Sequence, residues 1–432
     1  MTTPQGTATA STASRRPEPA PRITWLPVAA ALLGTGWGSQ QFTPMLLVYH
    51  QTLGLTTGTL EALFGVYALG QIPGLLLGGP LSDVWGRRAV VVPAAVFCLA
   101  ASVLLAAAGH VVALLFAGRL LVGVSTGAAF GAGTAWLRET SRPPWGTASD
   151  PAVARRAVIA MTTGFALGPL VTGLLAQWAP EPGVVPYLPH IALMAVVLAG
   201  VGAKRGGGES RALLRTAPET VPAGSPQALR LVPPGLASRR FRTVVAPLAP
   251  WVFAAPAVAF ALLPSITGAG HAADGVALSA AVTALTALAG VLIQPLARRL
   301  DARGRGNRAA TAGLLVLAGA LALAAVTAQD GQIWLLVPCA IVFGSAYGLC
   351  LVAGLVEVQR IAGPRALGGL TAAFYMLAYL GFAVPSLLVL AAHLASYALL
   401  LAITAALALS TAALVTRQAL RQEPDPAVRP QG

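Results

Sequence analysis

Charged side chains are scarce in this chain of 432 residues. Asp, Glu, Lys and Arg make up 10% of the sequence, whereas hydrophobic residues make up 56%. Lysine is nearly absent, because Lys204 is the single lysine among 28 basic residues. So little polar surface excludes a separate soluble catalytic domain. A membrane-embedded enzyme would need His, Asp or Glu clustered at one depth, and the apolar stretches offer no such cluster.

Cysteine is also rare, and Cys98, Cys339 and Cys350 all lie in apolar stretches. Cys339 and Cys350 would stand roughly 16 Å apart along one helix, which is too far for a disulfide. We therefore expect three small apolar side chains, no metal site and no cofactor.

The chain does contain twelve long apolar stretches. They run approximately over residues 24–48, 58–80, 89–109, 111–135, 157–178, 184–203, 243–265, 276–297, 309–328, 332–355, 366–389 and 395–416. Each has about the ~20 residues that a helix needs to cross ~30 Å of hydrocarbon. The sequence thus predicts an all-α membrane protein with twelve transmembrane helices, which we number as spans 1 to 12.

The basic residues are distributed asymmetrically along the chain. All but one of the 28 fall in alternate gaps between the spans, and the exception is Arg119. This bias predicts a multi-pass protein of the cell membrane whose termini and 204–242 segment are cytoplasmic. The net charge of +14 is scattered over the inner segments, so we expect contact with anionic lipid headgroups and not with nucleic acid.

The polar segment 204–242 divides the spans six and six, and the two halves carry similar motifs. Glu139-x-x-Arg142 follows span 4, and Glu357-x-x-Arg360 follows span 10. Duplicated halves predict two pseudo-symmetric six-helix bundles that rock around a midplane site. The predicted divisions are a disordered cytoplasmic tail (1–23), an N-terminal bundle (24–203), a cytoplasmic linker (204–242), a C-terminal bundle (243–416) and a cytoplasmic tail (417–432).

The most specific motif follows span 2 and reads Gly-Pro-Leu-Ser-Asp-Val-Trp-Gly-Arg-Arg over residues 79–88. It resembles the loop motif of the major facilitator superfamily. The resemblance implies that Asp83 accepts hydrogen bonds from a neighbouring helix end and pairs with arginines, which latches the outward-open state. A cluster that serves topology alone is the alternative. The predicted latch comprises Gly79, Asp83, Gly86, Arg87 and Arg88.

Span 4 carries Arg119 in the pattern Leu115-x-x-x-Arg119-x-x-x-Gly123, followed by Gly127. This pattern resembles the fourth-helix motif of the same superfamily, with Val122 where Gln is common. A guanidinium at this depth costs about 2.5–3.5 kcal/mol on insertion scales, so we expect it to face a cavity and a partner.

Span 5 carries a third motif, Gly164-x-x-x-Gly168-Pro169-x-x-Thr172-Gly173. It resembles the fifth-helix motif of antiporters in this superfamily, although Thr172 departs from the usual ending. Glycines permit close helix contact and proline kinks the helix. The pattern favours efflux, and the predicted packing residues are Gly123, Gly127, Gly164, Gly168, Pro169 and Gly173.

The predicted cavity is polar and aromatic, and it carries few charges. Glu61 lies near the outer end of span 2. It either takes up a proton from outside or is simply hydrated at the membrane–water interface. The predicted cavity and coupling residues are Arg119, Glu61, Gln40, Gln41, Gln71, Tyr347 and Tyr375. Such a site suits a small neutral or lipophilic compound better than a multiply charged one.

These features together predict a monomeric secondary active transporter that works by alternating access. The resemblance to bacterial drug and metabolite efflux antiporters implies proton-coupled export of a small molecule. Import of a small nutrient is the first alternative. A membrane-embedded enzyme and a transporter-like receptor are the others, and the short C-terminal tail disfavours the receptor.

Overall fold

The computed structural model describes residues 25–142, 146–202, 235–302, 307–362 and 367–421. Within these ranges the chain forms helices, turns and bends, with no strand. This confirms the predicted all-α class. The predicted N-terminal tail, most of the predicted linker and the last residues of the predicted C-terminal tail lie outside the described residues.

Every predicted span coincides with helix. The N-terminal half contains Leu26–Gln40 and Phe42–Leu53 (span 1), Thr57–Trp85 (span 2), Arg87–Ala106 (span 3), Val112–Ser141 (span 4), Asp150–Trp178 (span 5), and Val185–Tyr187 with Leu188–Gly202 (span 6). The C-terminal half contains Phe241–Ile266 (span 7), Gly275–Leu292 with Gln294–Ala302 (span 8), Arg308–Asp330 (span 9), Ile333–Leu335 with Leu336–Ile361 (span 10), Leu367–Tyr379 with Leu380–Ala383 and Val384–Ala391 (span 11), and Tyr397–Arg421 (span 12).

Ten of the described helices are long and apolar enough to cross a membrane. The two remaining segments are spans 1 and 6. Span 1 is divided at Gln41, and the apolar helix of span 6 covers only Val185–Val201. Many large apolar side chains are exposed on the helices, including Leu315 in span 9 and Leu407 in span 12. Surface of this kind is stable against lipid.

Three spans depart from α-helical geometry a few residues before a proline. Span 1 breaks at Gln41 ahead of Pro44, and span 11 tightens into a 3₁₀ turn over Leu380–Ala383 ahead of Pro385. Span 7 widens into a π-helical turn in its second half ahead of Pro264. Proline has no N–H to donate and its ring crowds the preceding turn, which explains the three irregular turns.

Glycines bring the N-terminal helices into backbone contact. A Cβ added to Gly123 or Gly127 in span 4 would overlap a carbonyl oxygen of span 2. A Cβ on Gly164 in span 5 would overlap a carbonyl oxygen of span 1, and one on Gly168 would lie 2.8 Å from Trp37 O. These four predicted packing residues are therefore places where helix backbones touch.

The two halves contact each other through a few helix pairs. Span 5 and the second helix of span 1 pack on span 8, and span 2 packs on span 11. We call the side of the molecule with the 1–2, 3–4, 5–6, 7–8, 9–10 and 11–12 connections the Glu61 end. The opposite side, with the remaining connections, is the Asp83 end.

Candidate functional site

A cluster of aromatic rings joins the halves near the middle of the molecule, and we call it the aromatic cluster. Its members are Phe64 and Tyr67 (span 2), Phe253 and Phe260 (span 7), Tyr347 (span 10), and Tyr375, Tyr379 and Phe382 (span 11). Phe64 meets Phe382 and Phe260 edge to face, with ring centroids 5.3 and 5.8 Å apart. Rings of opposite halves are thus in direct contact.

Part of this cluster is a stack of nearly parallel rings. The Phe253 ring lies 4.7 Å from Tyr379 and 5.0 Å from Phe382, at interplanar angles of 11° and 12°. Tyr379 and Phe382 are buried, whereas Phe253, Tyr347 and Tyr375 are partly exposed. Tyr375 lies one helical turn from Tyr379 toward the Asp83 end, so the exposed edge of the cluster faces that end.

Gln71 connects the halves by a hydrogen bond, since its Nε2 donates to the Tyr379 hydroxyl. The side chain is 2% exposed, and its Oε1 atom has no hydrogen-bond partner. A buried amide group without a partner costs about 1–3 kcal/mol. Gln71 therefore combines a contact between the halves with an unused hydrogen-bonding atom beside the rings.

Gln40 and Gln41 lie at the break of span 1 and differ in environment. Gln40 is partly exposed, and its Oε1 accepts a long hydrogen bond of 3.4 Å from Thr43. Gln41 is buried and donates from Nε2 to Ser102 Oγ at 2.7 Å, toward span 3. The Gln41 side chain is thus directed at span 3 of its own half.

His190 continues this buried chain. Its Nε2 lies 2.9 Å from Gly34 O and its Nδ1 lies 2.8 Å from Ser102 Oγ. Because the carbonyl only accepts, Nε2 carries the proton and Nδ1 accepts from Ser102 in the neutral ring. His190 belongs to the first turn of the helix Leu188–Gly202 in span 6, and its side chain is buried.

Arg119 is fully enclosed in the N-terminal half. It donates to the carbonyl oxygens of Leu63, Phe64 and Ser39 at 3.2, 3.3 and 3.4 Å. The guanidinium carbon lies 4.5 Å from the Phe42 ring centroid and 4.8 Å from that of Tyr67. Carbonyl oxygens and ring faces thus stabilise the cation, and they hold the end of one span 1 helix against span 2.

Glu61 lies one helical turn before this site in span 2. Its side chain is buried, with 1% of the residue exposed, and its Oε2 has no hydrogen-bond partner. The Ser386 hydroxyl of span 11 donates to its backbone carbonyl at 3.4 Å, so this turn lies at the contact between the halves. The structure therefore encloses the Glu61 carboxyl where the halves meet.

The predicted latch lies at the Asp83 end. Asp83 is exposed and pairs with Arg87, which also donates to Ser82 Oγ at 2.7 Å and to Glu139 Oε1 at 2.9 Å. These partners of Arg87 all belong to the N-terminal half. Gly86 has a φ of 91°, which glycine adopts without strain, and it turns the chain sharply between spans 2 and 3.

The two remaining latch residues are Gly79 and Arg88. A Cβ on Gly79 would meet no atom within 4 Å, so close packing does not require glycine there. Arg88 begins span 3 beside Arg87 and has interacting partners of its own.

The C-terminal half carries a second charge cluster at the Asp83 end. Glu357 accepts hydrogen bonds from Arg240 and Arg360, each at 2.5 Å. Arg360 also donates to the Asp301 backbone carbonyl at 3.3 Å. Sequence reasoning missed Arg240 and Asp301, although the Glu357-x-x-Arg360 echo marked the place.

The span 5 motif contacts both halves. Gly164 and Gly168 pack on span 1, and a Cβ on Gly173 would overlap Ala280 of span 8. Thr172 is buried, and its hydroxyl has no partner. Pro169 lies between these contacts in the helix Asp150–Trp178, where it removes a backbone hydrogen bond.

Solved structures of membrane transporters are similar to this arrangement. A mutant form of the nucleoside transporter NupG has a TM-score of 0.71 and 14% identity, covering 90% of this chain and 98% of that chain. A POT family transporter in complex with 5-aminolevulinic acid has a TM-score of 0.72 and 12% identity, covering 91% and 96%. At such identities the likeness concerns the fold alone.

Sequence comparison identifies the family. The profile of the Major Facilitator Superfamily matches residues 28–386. The chain belongs to the major facilitator superfamily, which confirms the resemblance inferred from its motifs, and it is a membrane transporter and not an enzyme. A curated relative, Myo-inositol transporter 1 of Cryptococcus neoformans var. grubii, is 34% identical over 113 residues. That match covers 25% of this chain and spans about a fifth (20%) of the relative's length.

Proposed function

We propose that this protein exports a small neutral or lipophilic compound in exchange for protons, by alternating access. The aromatic cluster between the halves carries the proposal. Its rings come from spans 2, 7, 10 and 11, and no carboxylate or basic side chain belongs to it among the described residues. An uncharged aromatic site binds apolar surface and provides no counter-ion for a charged solute.

Alternating access requires two bundles that open on one side at a time, and the contacts between the halves support it. Hydrogen bonds between the halves occur at Gln71–Tyr379, at Ser386 with the Glu61 carbonyl, and at Gln177 with the backbone of span 8. These contacts lie at the middle or toward the Glu61 end. At the Asp83 end, two ion pairs of the described residues each form within one half and not between the halves. Arg87 pairs with Glu139 in the N-terminal half, and Arg240 pairs with Glu357 in the C-terminal half. We infer a state that is closed at the Glu61 end, with the Asp83 end and both termini in the cytoplasm.

Glu61 is the proposed proton site. An ionised carboxylate is very costly to bury without a partner, so Glu61 enters this closed arrangement in its protonated form. Opening of the Glu61 end would hydrate the carboxyl and let it exchange its proton with the outside. Each time the Glu61 end closes, the Glu61 carboxyl therefore carries one bound proton.

The test uses purified protein in liposomes with a pH-sensitive dye sealed inside. A panel of neutral aromatic compounds that includes chloramphenicol is added under an imposed pH gradient, and then under the reversed gradient. We expect proton flux that requires both the protein and a compound, and that changes sign with the gradient. If the direction and rate of transport are the same under both pH gradients, transport is not coupled to protons.

Uptake of a small polar nutrient is the second candidate function. The curated relative bears the name of a myo-inositol transporter, and one structural neighbour is a nucleoside transporter. The same liposomes separate the two proposals, because labelled inositol or a labelled nucleoside would accumulate whereas the aromatic panel would not.

A further inference from the structure

Resting on the proposed function, we propose a substrate class: a flat, uncharged aromatic molecule with one polar group. Its ring extends the stack at Tyr375 and Phe253, and its polar group bonds the free half of the Gln71 carboxamide. Three independent features of the site support this assignment: the orientation of the rings, the unused amide atom and the position of the nearest cation.

The first feature is the parallel orientation of the rings. Phe253, Tyr379 and Phe382 lie within 16° of one another, and Tyr375 follows Tyr379 at a centroid distance of 6.3 Å and an angle of 29°. Tyr375, which is partly exposed, lies one helical turn from Tyr379 on the side of the stack that faces the Asp83 end. Offset stacking favours another planar ring on that side, whereas a saturated ring presents no π face.

The second feature is the Gln71 carboxamide. One of its two polar atoms bonds the Tyr379 hydroxyl, and the other is buried without a partner. Since Tyr379 belongs to the ring stack, the free amide atom lies beside it. A ligand hydroxyl or amine that donates a hydrogen bond to this oxygen removes the cost of leaving it unpaired. The ligand therefore carries a polar group that complements an amide.

The third feature is the charge near the cluster. The nearest cation is Arg119, whose guanidinium carbon lies 4.8 Å from the Tyr67 ring and 5.9 Å from the Phe64 ring. Backbone carbonyls already hold it. Arg119 therefore offers no free counter-ion to an anionic ligand, which would also be desolvated among aromatic rings. Among the described residues the cluster contains no carboxylate that could pair with a cationic ligand. The site therefore selects uncharged compounds.

The experiment compares three ligands of similar size: 2-naphthol, 2-methoxynaphthalene and 2-decalol. They separate planarity from the polar group, because the second lacks the hydroxyl proton and the third lacks the flat ring. Binding to the full-length protein in lipid nanodiscs is measured by equilibrium dialysis, with empty nanodiscs subtracted. We expect 2-naphthol to bind at least tenfold more tightly than either of the other two.

Two variants assign these preferences to residues. Tyr375→Leu should remove most of the difference in binding affinity between 2-naphthol and 2-decalol. The control Tyr397→Leu, which alters a tyrosine outside the cluster, should retain that difference. Gln71→Leu should remove the difference in binding affinity between 2-naphthol and 2-methoxynaphthalene. The control Gln332→Leu, which alters an exposed glutamine, should retain that difference.

The unmutated protein alone can overturn the inference. Equal binding of all three ligands, or no binding of any, would contradict it whether or not the variants fold. Selectivity for 2-naphthol without coupling to a pH gradient would support the substrate class and refute proton exchange. Proton-coupled transport of other compounds, with no preference for flat rings, would support proton exchange and refute the substrate class.

Discussion

At the scale of single residues, polar side chains in this protein differ most in whether they have partners. Arg119 has three carbonyl partners and two close aromatic faces. Glu61 and Gln71 each keep a buried oxygen without one. Buried polar groups are normally satisfied, so an unpaired atom marks a place where a proton, a ligand or another conformation supplies the missing interaction.

The first prediction concerns the proton at Glu61. Glu61→Gln imitates the protonated carboxyl in shape, so the protein should insert and still move substrate down a concentration gradient. It should lose most of its response to an imposed pH gradient, because the amide cannot release a proton. Substrate flux in liposomes with and without the gradient measures the effect, with the exposed Glu181→Gln as control. An undiminished gradient response in Glu61→Gln would exclude this carboxyl as the coupling site.

The residues also show how far the sequence could predict the site. Gln71, Tyr347 and Tyr375 stood out as polar or aromatic residues in apolar spans, and they now lie in or beside the aromatic cluster. Phe253 and Phe382 gave no such signal, because phenylalanine is common on lipid-facing and packed surfaces alike. Contacts between distant spans depend on tertiary packing, which one sequence does not reveal.

At the scale of helices, prolines and glycines determine where spans bend and where they touch. The twelve apolar stretches all coincide with helix in the described residues, but they did not predict the break at Gln41 or the 3₁₀ turn at Leu380–Ala383. Proline identifies the affected span, while the geometry of the turn depends on what packs against it. The 3₁₀ turn brings Gly381 so close to span 7 that an added Cβ would overlap Pro250 O.

The second prediction tests the contact between spans 1 and 5. In Gly168→Leu, the new Cβ would lie 2.8 Å from Trp37 O, and the larger side chain must push the helices apart. Overpacking of this kind typically costs about 1–3 kcal/mol, so we expect a lower unfolding temperature and loss of transport. Thermal unfolding in detergent and flux in liposomes measure the two effects. Gly200→Ala, where no atom lies within 4 Å of the added Cβ, is the matched control. Normal stability and flux in Gly168→Leu would show that the helices do not depend on this contact.

At the scale of the whole molecule, the arginine distribution defines the proposed orientation in the membrane, in which the Asp83 end faces the cytoplasm. The third prediction tests the orientation. The native Cys98, Cys339 and Cys350 are buried, so an introduced cysteine is the expected site of labelling. Thr220→Cys, in the predicted cytoplasmic linker, should react with an impermeant thiol reagent only after the inner face is exposed. His110→Cys, in an exposed connection at the Glu61 end, should react in intact cells. The opposite pattern would reverse the orientation and with it the roles of the two ends.

The last prediction concerns the balance between the two open states. In the state described here, Asp83 pairs with Arg87 of its own half, so the loss of its charge should disturb this state little. If Asp83 latches the halves together when the Glu61 end is open, Asp83→Asn weakens only that other state and shifts the population toward this one. A shift of about 1 kcal/mol would change the ratio of the two states roughly fivefold. We expect faster labelling of a cysteine at Thr371, on the face of span 11 that continues from Tyr375 toward the Asp83 end, together with slower turnover. Asp274→Asn, an exposed carboxylate at the opposite end, should change neither rate. Unaltered labelling and turnover in Asp83→Asn would reduce the loop motif to a determinant of topology.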